Sequence, residues 1–188
     1  MAVRIVSKFH SFKLGDLIDL NKGQRIEPKV KGNYPIFGAG EKEVGYADTW
    51  NNAGRITITR KGTIGKVYKR EFKHFVAEAS FIVEVKSQVI LKDYLYEWLK
   101  NEEYLIKQLK TPALIAELDK KSFLDLEIKV PSLERQRKVV SALKIYRSEL
   151  QEQEKIIKKQ IEVLEKCRNS ILDEIIEGVI KNEKNRMF

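Results

Sequence analysis

From residue 132 to residue 177 the chain holds neither glycine nor proline, and an aliphatic side chain returns every seventh position at Leu143, Leu150, Ile157, Leu164 and Ile171. This spacing predicts one straight helix of about 46 residues, roughly 69 Å at 1.5 Å per residue. With those five at the a places of a heptad, the d places fall on Val139, Tyr146, Gln153, Gln160 and Cys167. Ile156, Ile161, Ile175 and Ile176 widen the stripe beyond a narrow zipper seam. So broad an apolar face predicts burial partly on the chain's own head and partly on a partner helix. Leu143, Leu150, Ile157, Ile161, Leu164, Ile171 and Ile175 are the expected pairing residues. Ser132 is placed to cap the helix, and Glu134 in its first turn suits the helix dipole.

Ahead of the rod the period is different. Residues 12–20 (FKLGDLIDL) have apolar positions at helical steps, followed by a loop over residues 24–33. Residues 34–37, 44–47, 55–59, 63–69 and 79–85 read as short strands separated by glycine turns, which predicts a strongly curved sheet. Residues 91–109 return to helical spacing through Leu91, Tyr94, Leu95, Trp98, Leu99 and Leu105, and Thr111-Pro112 ends that run. A short helix is expected at 113–118 and a strand at 126–130. The fold class is therefore α/β (α+β): a head over residues 1–131, then a long helix over 132–188.

Charge narrows the choice of partner. The chain carries 36 Lys+Arg against 27 Asp+Glu, a net charge of +9. Residues 1–131 hold 23 of those cations and 17 of the acids, so +6 of the excess sits in the head. Residues 49–70 contain Arg55, Arg60, Lys61, Lys66, Lys69 and Arg70 and no acidic residue. A one-signed stretch inside a folded domain favours an anionic partner such as nucleic acid. The single cysteine, Cys167, allows no intramolecular disulfide and points to a reducing compartment. The first residues lack the apolar core of a secretory signal and no apolar run is long enough to span a bilayer, so a cytoplasmic location without a membrane partner is expected.

Two histidines and one cysteine leave no Cys/His zinc cluster or Cys/His nucleophilic pair to consider. The short glycine runs at 38–40 and 62–65 lack the pattern of a phosphate-cradling loop. Glu84-Val85-Lys86 and Glu127-Ile128-Lys129 give E-x-K at expected strands, the tripeptide of Mg²⁺-dependent nucleases, without an aspartate on a clear partner strand. A nuclease is thus a minor alternative. The stronger constellation lies in the loops 21–33 and 49–66, which offer Lys22, Arg25, Lys29, Lys31, Arg55, Arg60, Lys61 and Lys66 to phosphates. Gln24, Asn51 and Asn52 suit bidentate contacts to adenine, and Arg25 or Arg60 to guanine. Asn51-Asn52 also suit a turn, and any one lysine also suits plain solvation.

These segments, in order, resemble the specificity subunit of type I restriction–modification systems. Lys13-Leu14-Gly15-Asp16-Leu17 with Gly23 resembles the opening of a target recognition domain, and residues 34–40 (YPIFGAG) its Y-P-x-[YF]-G turn. Residues 60–67 (RKGTIGKV) resemble its central glycine hairpin. Residues 130–139 (VPSLERQRKV) resemble the P-x-x-x-E-Q-x-x-I signature that opens a spacer helix, with Arg135 in place of Glu and Val139 in place of Ile. Family members carry two recognition domains and two spacers, whereas this chain has one of each and resembles a half subunit. The resemblance implies a homodimer with antiparallel rods, a bipartite palindromic double-stranded DNA target, and a gap set by rod length.

It also implies that the chain catalyses nothing and binds no cofactor itself. It would guide a methylation subunit using S-adenosylmethionine and an endonuclease subunit using ATP and Mg²⁺. The outward face of the rod, with Glu149, Glu152, Lys155, Lys158 and Lys159, is a candidate for part of the methylation-subunit contact, and plain solvation accounts for it equally well. The alternative class is a coiled-coil scaffold or inhibitor that reads no DNA.

Overall fold

The computed structural model describes residues 9–186, with side chains to residue 176. The chain divides into two units, Met1–Val140 and Ser141–Phe188. In the first, β1 (His10–Lys13) pairs antiparallel with β9 (Glu127–Val130), so the two ends of the unit are stitched together. A four-stranded antiparallel sheet runs in the order β2 (Ile18–Lys22), β8 (Ser80–Val85), β5 (Ile56–Thr59), β6 (Val67–Lys69). A second sheet runs β4 (Glu43–Ala47), β3 (Tyr34–Phe37), β7 (Phe75–Val76), with β7 parallel to β3.

Strand β5 shows how the head is organised. All four of its residues are buried, because Ile56 and Ile58 point to the main core while Thr57 and Thr59 point the other way. Burying those hydroxyls requires partners. Thr59 Oγ1 accepts from Lys66 N at 2.9 Å and donates to the Thr63 carbonyl, which ties the turn before β6 to its own strand. The core on the isoleucine side is completed by α1 (Leu14–Leu17), α2 (Lys92–Asn101), α3 (Glu103–Gln108) and α4 (Lys120–Leu124), through Leu14, Leu17, Leu95, Leu99, Ile106 and Phe123.

Several elements differ from the expectation. Residues 12–20 are not one helix but strand, one helical turn, then strand, because Ile18 and Leu20 take buried alternate positions of β2 opposite β8. The predicted strand at 63–69 begins only at Val67; Gly62 and Gly65 take positive φ and turn the chain before it. The helix at 91–109 breaks at Glu102 into α2 and α3. No helix forms at 113–118. One forms instead at Lys120, where the Asp119 carboxylate accepts from Lys121 N at 3.0 Å as an N-cap.

The long helix, α5 (Leu133–Arg186), has 54 residues, roughly 81 Å at 1.5 Å per residue. It passes through Gly178, since a single interior glycine costs only about 1 kcal/mol relative to alanine. Beyond Leu143 every side chain described on it is exposed. The chain therefore covers only the first turns of the stripe, through Gln136 and Val140. Among the described residues no helix is long and apolar enough to cross a membrane.

Ser132 occupies the N-cap of α5, its carbonyl accepting from Gln136 N at 3.0 Å. The Gln136 side chain is fully buried. Its Oε1 accepts from Leu91 N at 2.7 Å, and its Nε2 donates to the carbonyls of Val89 (2.7 Å) and Pro131 (2.8 Å). One amide thus joins the approach to α2, the end of β9 and the first turn of α5. Gln136→Leu strands a buried N–H and two carbonyls. It should lower the unfolding free energy by about 2–4 kcal/mol, read as a lower denaturant midpoint with an unchanged slope.

A second buried polar group sits beneath the other sheet. His74 is fully buried, with Asn52 Nδ2 donating to Nε2 at 3.1 Å. Nδ1 then carries the proton and donates to the Phe72 carbonyl at 2.8 Å, so the fold holds the neutral ring. Burial, with the positive Arg70 and Arg55 adding to it, pushes the His74 pKa below the ordinary 6.5, and the bond to Phe72 opposes this only partly. A depressed histidine pKa gives stability that is complete above the unfolded value and lost as pH falls below it. Denaturant midpoints should therefore drop from about pH 7 to about pH 5, and drop less in His74→Gln, whose side chain does not titrate.

Candidate nucleic-acid interface

The turn between β7 and β8, residues 77–79, and the residues flanking it gather three other segments of the head, and a fourth joins through Arg60. Gly23 N donates to the Ser80 carbonyl (2.9 Å), and Gln24 N to that of Val76 (3.1 Å). Ala77 N donates to the Phe37 carbonyl (2.9 Å), and Ser80 Oγ to that of Gly38 (2.8 Å). Arg60 N and Lys61 N both donate to Ala79 O, at 2.8 and 3.2 Å, while Leu118 N donates to Arg60 O at 2.8 Å. Gly23 is required by close approach, since a Cβ there would stand 2.2 Å from the Ala77 carbonyl oxygen. Gly62 has φ +66° and lies against Ala39, where a side chain would be strained.

This convergence places the predicted residues in three groups. Lys22, Gln24, Arg25 and Lys31 are exposed. Lys61 is half-buried and meets the Glu117 carboxylate at 3.1 Å. Lys61, Arg60 and Lys22 together hold the Glu117 carboxyl below the usual range, the Lys61 hydrogen bond contributing most. Two further lysines lie apart from this group. Lys29 pairs with Asp48. Lys66 pairs at 2.8 Å with Glu103, which also takes Lys100 at 2.7 Å.

The third group is internally engaged, against expectation. Asn51 makes the two-pronged contact expected for adenine, but with a peptide: Oδ1 accepts from Val76 N at 2.7 Å and Nδ2 donates to Val76 O at 3.1 Å. Asn52 is fully buried between His74 and Arg55. Arg55 spends its guanidinium on Asn52 Oδ1, the Asn51 carbonyl and Glu84. Arg60 is only 8% exposed. It donates to Glu117 and to the Glu78 carbonyl (3.0 Å) and sits 5.4 Å from the Phe81 ring centroid, leaving Nε without a partner. These four residues build the loops. The charge reading had no means of seeing Glu117 or the Val76 peptide as their partners, because both lie far off in sequence.

The structure also shows groupings that the sequence reading did not assemble. Arg70 is stacked 3.7 Å from the Phe37 centroid and 4.6 Å from that of Tyr68, and it donates to the Glu41 carbonyl at 3.2 Å. With Lys66, Lys69, Lys100 and Tyr96 it borders a cleft of about 480 Å³. The acids Glu71 and Asp93 hold Lys69 there, each at 2.7 Å. Asp19 proves to lie opposite Glu84 across β2 and β8, the partner-strand aspartate that the E-x-K reading lacked. Each carboxylate is held by a cation, Asp19 by Lys86 at 3.1 Å and Glu84 by Arg55 at 2.9 Å. Among the described residues no three metal-ligating side chains come together.

The second unit presents the apolar stripe itself. Leu150, Ile157, Ile161, Leu164, Ile171 and Ile175 are each 44–68% exposed, and Cys167 is free and exposed on the same helix.

Comparison with known proteins gives this architecture a context. In sequence, the chain is 23% identical to the specificity subunit of the type I restriction enzyme MjaVIII from Methanocaldococcus jannaschii, over 96% of this chain and 45% of that protein. In structure, it matches the S subunit of a type I restriction–modification system from M. genitalium with a TM-score of 0.70 and 21% identity, over 80% of this chain and 42% of that one. The HsdS subunit from Thermoanaerobacter tengcongensis matches with a TM-score of 0.58 and 18% identity, over 79% and 39%. The chain thus spans less than half the length of the relatives it matches. Residues 7–163 match the type I restriction modification DNA specificity domain, and the chain belongs to that family.

Proposed function

We propose that this chain reads DNA sequence for a type I restriction–modification complex. In this reading two copies pair through antiparallel α5 helices, so that their heads address two inverted half-sites separated by an unread gap. The observation that carries it is the meeting of Gln24 and Lys61 at the 77–79 turn, with Lys22 at the end of β2 opposite Phe81 and Arg25 next to Gln24. A rigid hydrogen-bonded frame there holds cations and an amide at an exposed surface. Phosphate contacts from the lysines would position the duplex, and Gln24 and Arg25 would meet base edges. Asn51, Asn52, Arg55 and Arg60 serve beneath them as supports.

The bare stripe of α5 supports pairing, because aliphatics at helical spacing gain by leaving water. Methylation and cleavage then fall to partner subunits, which would supply S-adenosylmethionine, ATP and Mg²⁺ chemistry. The charged flank of α5, where Lys155 lies 3.5 Å from Glu152, is the proposed contact for the methylation subunit.

Binding to duplex DNA should weaken steeply with salt. Lys22, Arg25, Lys31 and Lys61, each on one phosphate, give a slope of log affinity against log salt near −3 to −4 per head, at about 0.9 per phosphate. A flat response measured by fluorescence anisotropy would leave the scaffold reading standing and remove this one. Ile157→Asp places a charge in the seam and should convert dimers to monomers. An unchanged mass by light scattering would sink the pairing.

A further inference from the structure

Residues 111–117 (TPALIAE) form a short loop with a fixed stem. Thr111 N donates to the Glu117 carbonyl at 2.8 Å, and Glu117 N donates back to Thr111 Oγ1 at 3.1 Å. Lys110 and Leu118 form a bridge beneath them, and Leu118 N is bonded to Arg60 O. Two large aliphatic side chains stand at the tip of this stem, Leu114 at 104% exposure and Ile115 at 73%. Leu114 is more exposed than any other large hydrophobic described in the chain. The stem is fastened to the basic surface: Glu117 holds Arg60 and Lys61, and Lys22 is close enough to act on its carboxyl.

An apolar tip whose stem is anchored to cations through Glu117 suits the groove of a duplex. Phosphates line both edges of a groove, and the apolar group displayed on the floor of the major groove is the thymine C5-methyl. A protein partner with a greasy pocket would need no surrounding lysines, and a solvent-facing loop would have no use for two bare aliphatics. The stem fixes the backbone beforehand, so placing the tip in a groove costs little further ordering.

We infer that Leu114 and Ile115 are specificity-determining residues that pack against thymine methyl groups in the major groove. The inference rests on the DNA-reading function proposed above and adds a base preference to it. Arg60, buried behind the tip and bridged to it by Glu117, is then a positioning residue that holds the loop to the basic surface.

The test starts from a pool of random-sequence duplexes selected with the intact chain at one fixed salt concentration. Uracil is then substituted for each thymine of the selected site, removing the C5-methyl alone. At one or two positions the wild-type chain should lose about four-fold in affinity per methyl, the worth of one buried methyl group. Leu114→Ser/Ile115→Ser, both changes on the surface, should keep the wild-type unfolding midpoint and salt slope and be indifferent to uracil.

A pool that yields no enriched sequence removes the recognition function and this inference together. An enriched site insensitive to uracil at every position overturns the inference and leaves recognition standing. A double variant that selects the same thymines with wild-type affinity also overturns it, even where its binding to a methylation subunit is reduced.

Discussion

The side-chain amide of Gln136 is the tie on which the arrangement of the head depends. Three backbone groups from three parts of the chain, at Val89, Leu91 and Pro131, have their hydrogen-bonding capacity met by one fully buried side chain. An apolar residue of similar size would leave all three groups without this partner, the Pro131 carbonyl in a buried setting. β1 and β9 close the unit nearby, with His10 opposite Val130, so the helix start is set against a closed sheet. The first two turns of α5 thus belong to the head unit.

A comparable economy governs the charges. Of the cations in the stretch that lacks acids, Arg55, Arg60, Lys66 and Lys69 are met by Glu84, Glu117, Glu103 and the pair Glu71 and Asp93. Every one of these acids lies outside residues 49–70. The folded head thus pairs much of the charge that looked one-signed along the chain, and the excess is concentrated in loops such as 22–31. The more exposed of these pairs, such as Arg55–Glu84, contribute little to stability, typically 0–1 kcal/mol. Their effect is geometric: they orient long side chains and loop backbones near the exposed Lys22, Gln24 and Arg25.

What the sequence made legible follows the reach of each signal. The expected strands at 34–37, 44–47, 55–59 and 79–85 correspond to β3, β4, β5 and β8, and the seven-residue repeat found α5. Two-residue β7 carries too short a pattern, and it exists only because Phe75 and Val76 lie beside Ile36 and Phe37. The short helix after Asp119 had a readable signal, an aspartate followed by helix-tolerant Lys-Lys-Ser, and Asp119 accepts from both Lys121 N and Ser122 Oγ. Among the site residues, lysines on loops were legible as exposed. The fates of Asn51, Asn52 and Arg60 were decided by partners 20 to 60 positions away, which no local pattern carries. Leu114 and Ile115 were absorbed into an expected helix because apolar residues next to a proline resemble a helix start.

The proposed pairing of α5 is a near balance, and its polar seam positions then matter. Six aliphatics, each about half exposed, would gain roughly 1 kcal/mol apiece, on the order of 12 kcal/mol from two chains. Association itself costs about 4–15 kcal/mol. Against so narrow a surplus, Gln153 and Gln160 at adjacent d places are not neutral. Unpaired in an apolar seam each would remove a sizeable part of the gain, whereas facing polar partners each would keep it. A slip that seats either glutamine against aliphatic partners is therefore disfavoured. The two weakest positions of the stripe would then fix the register of the rods, and with it the separation of the heads.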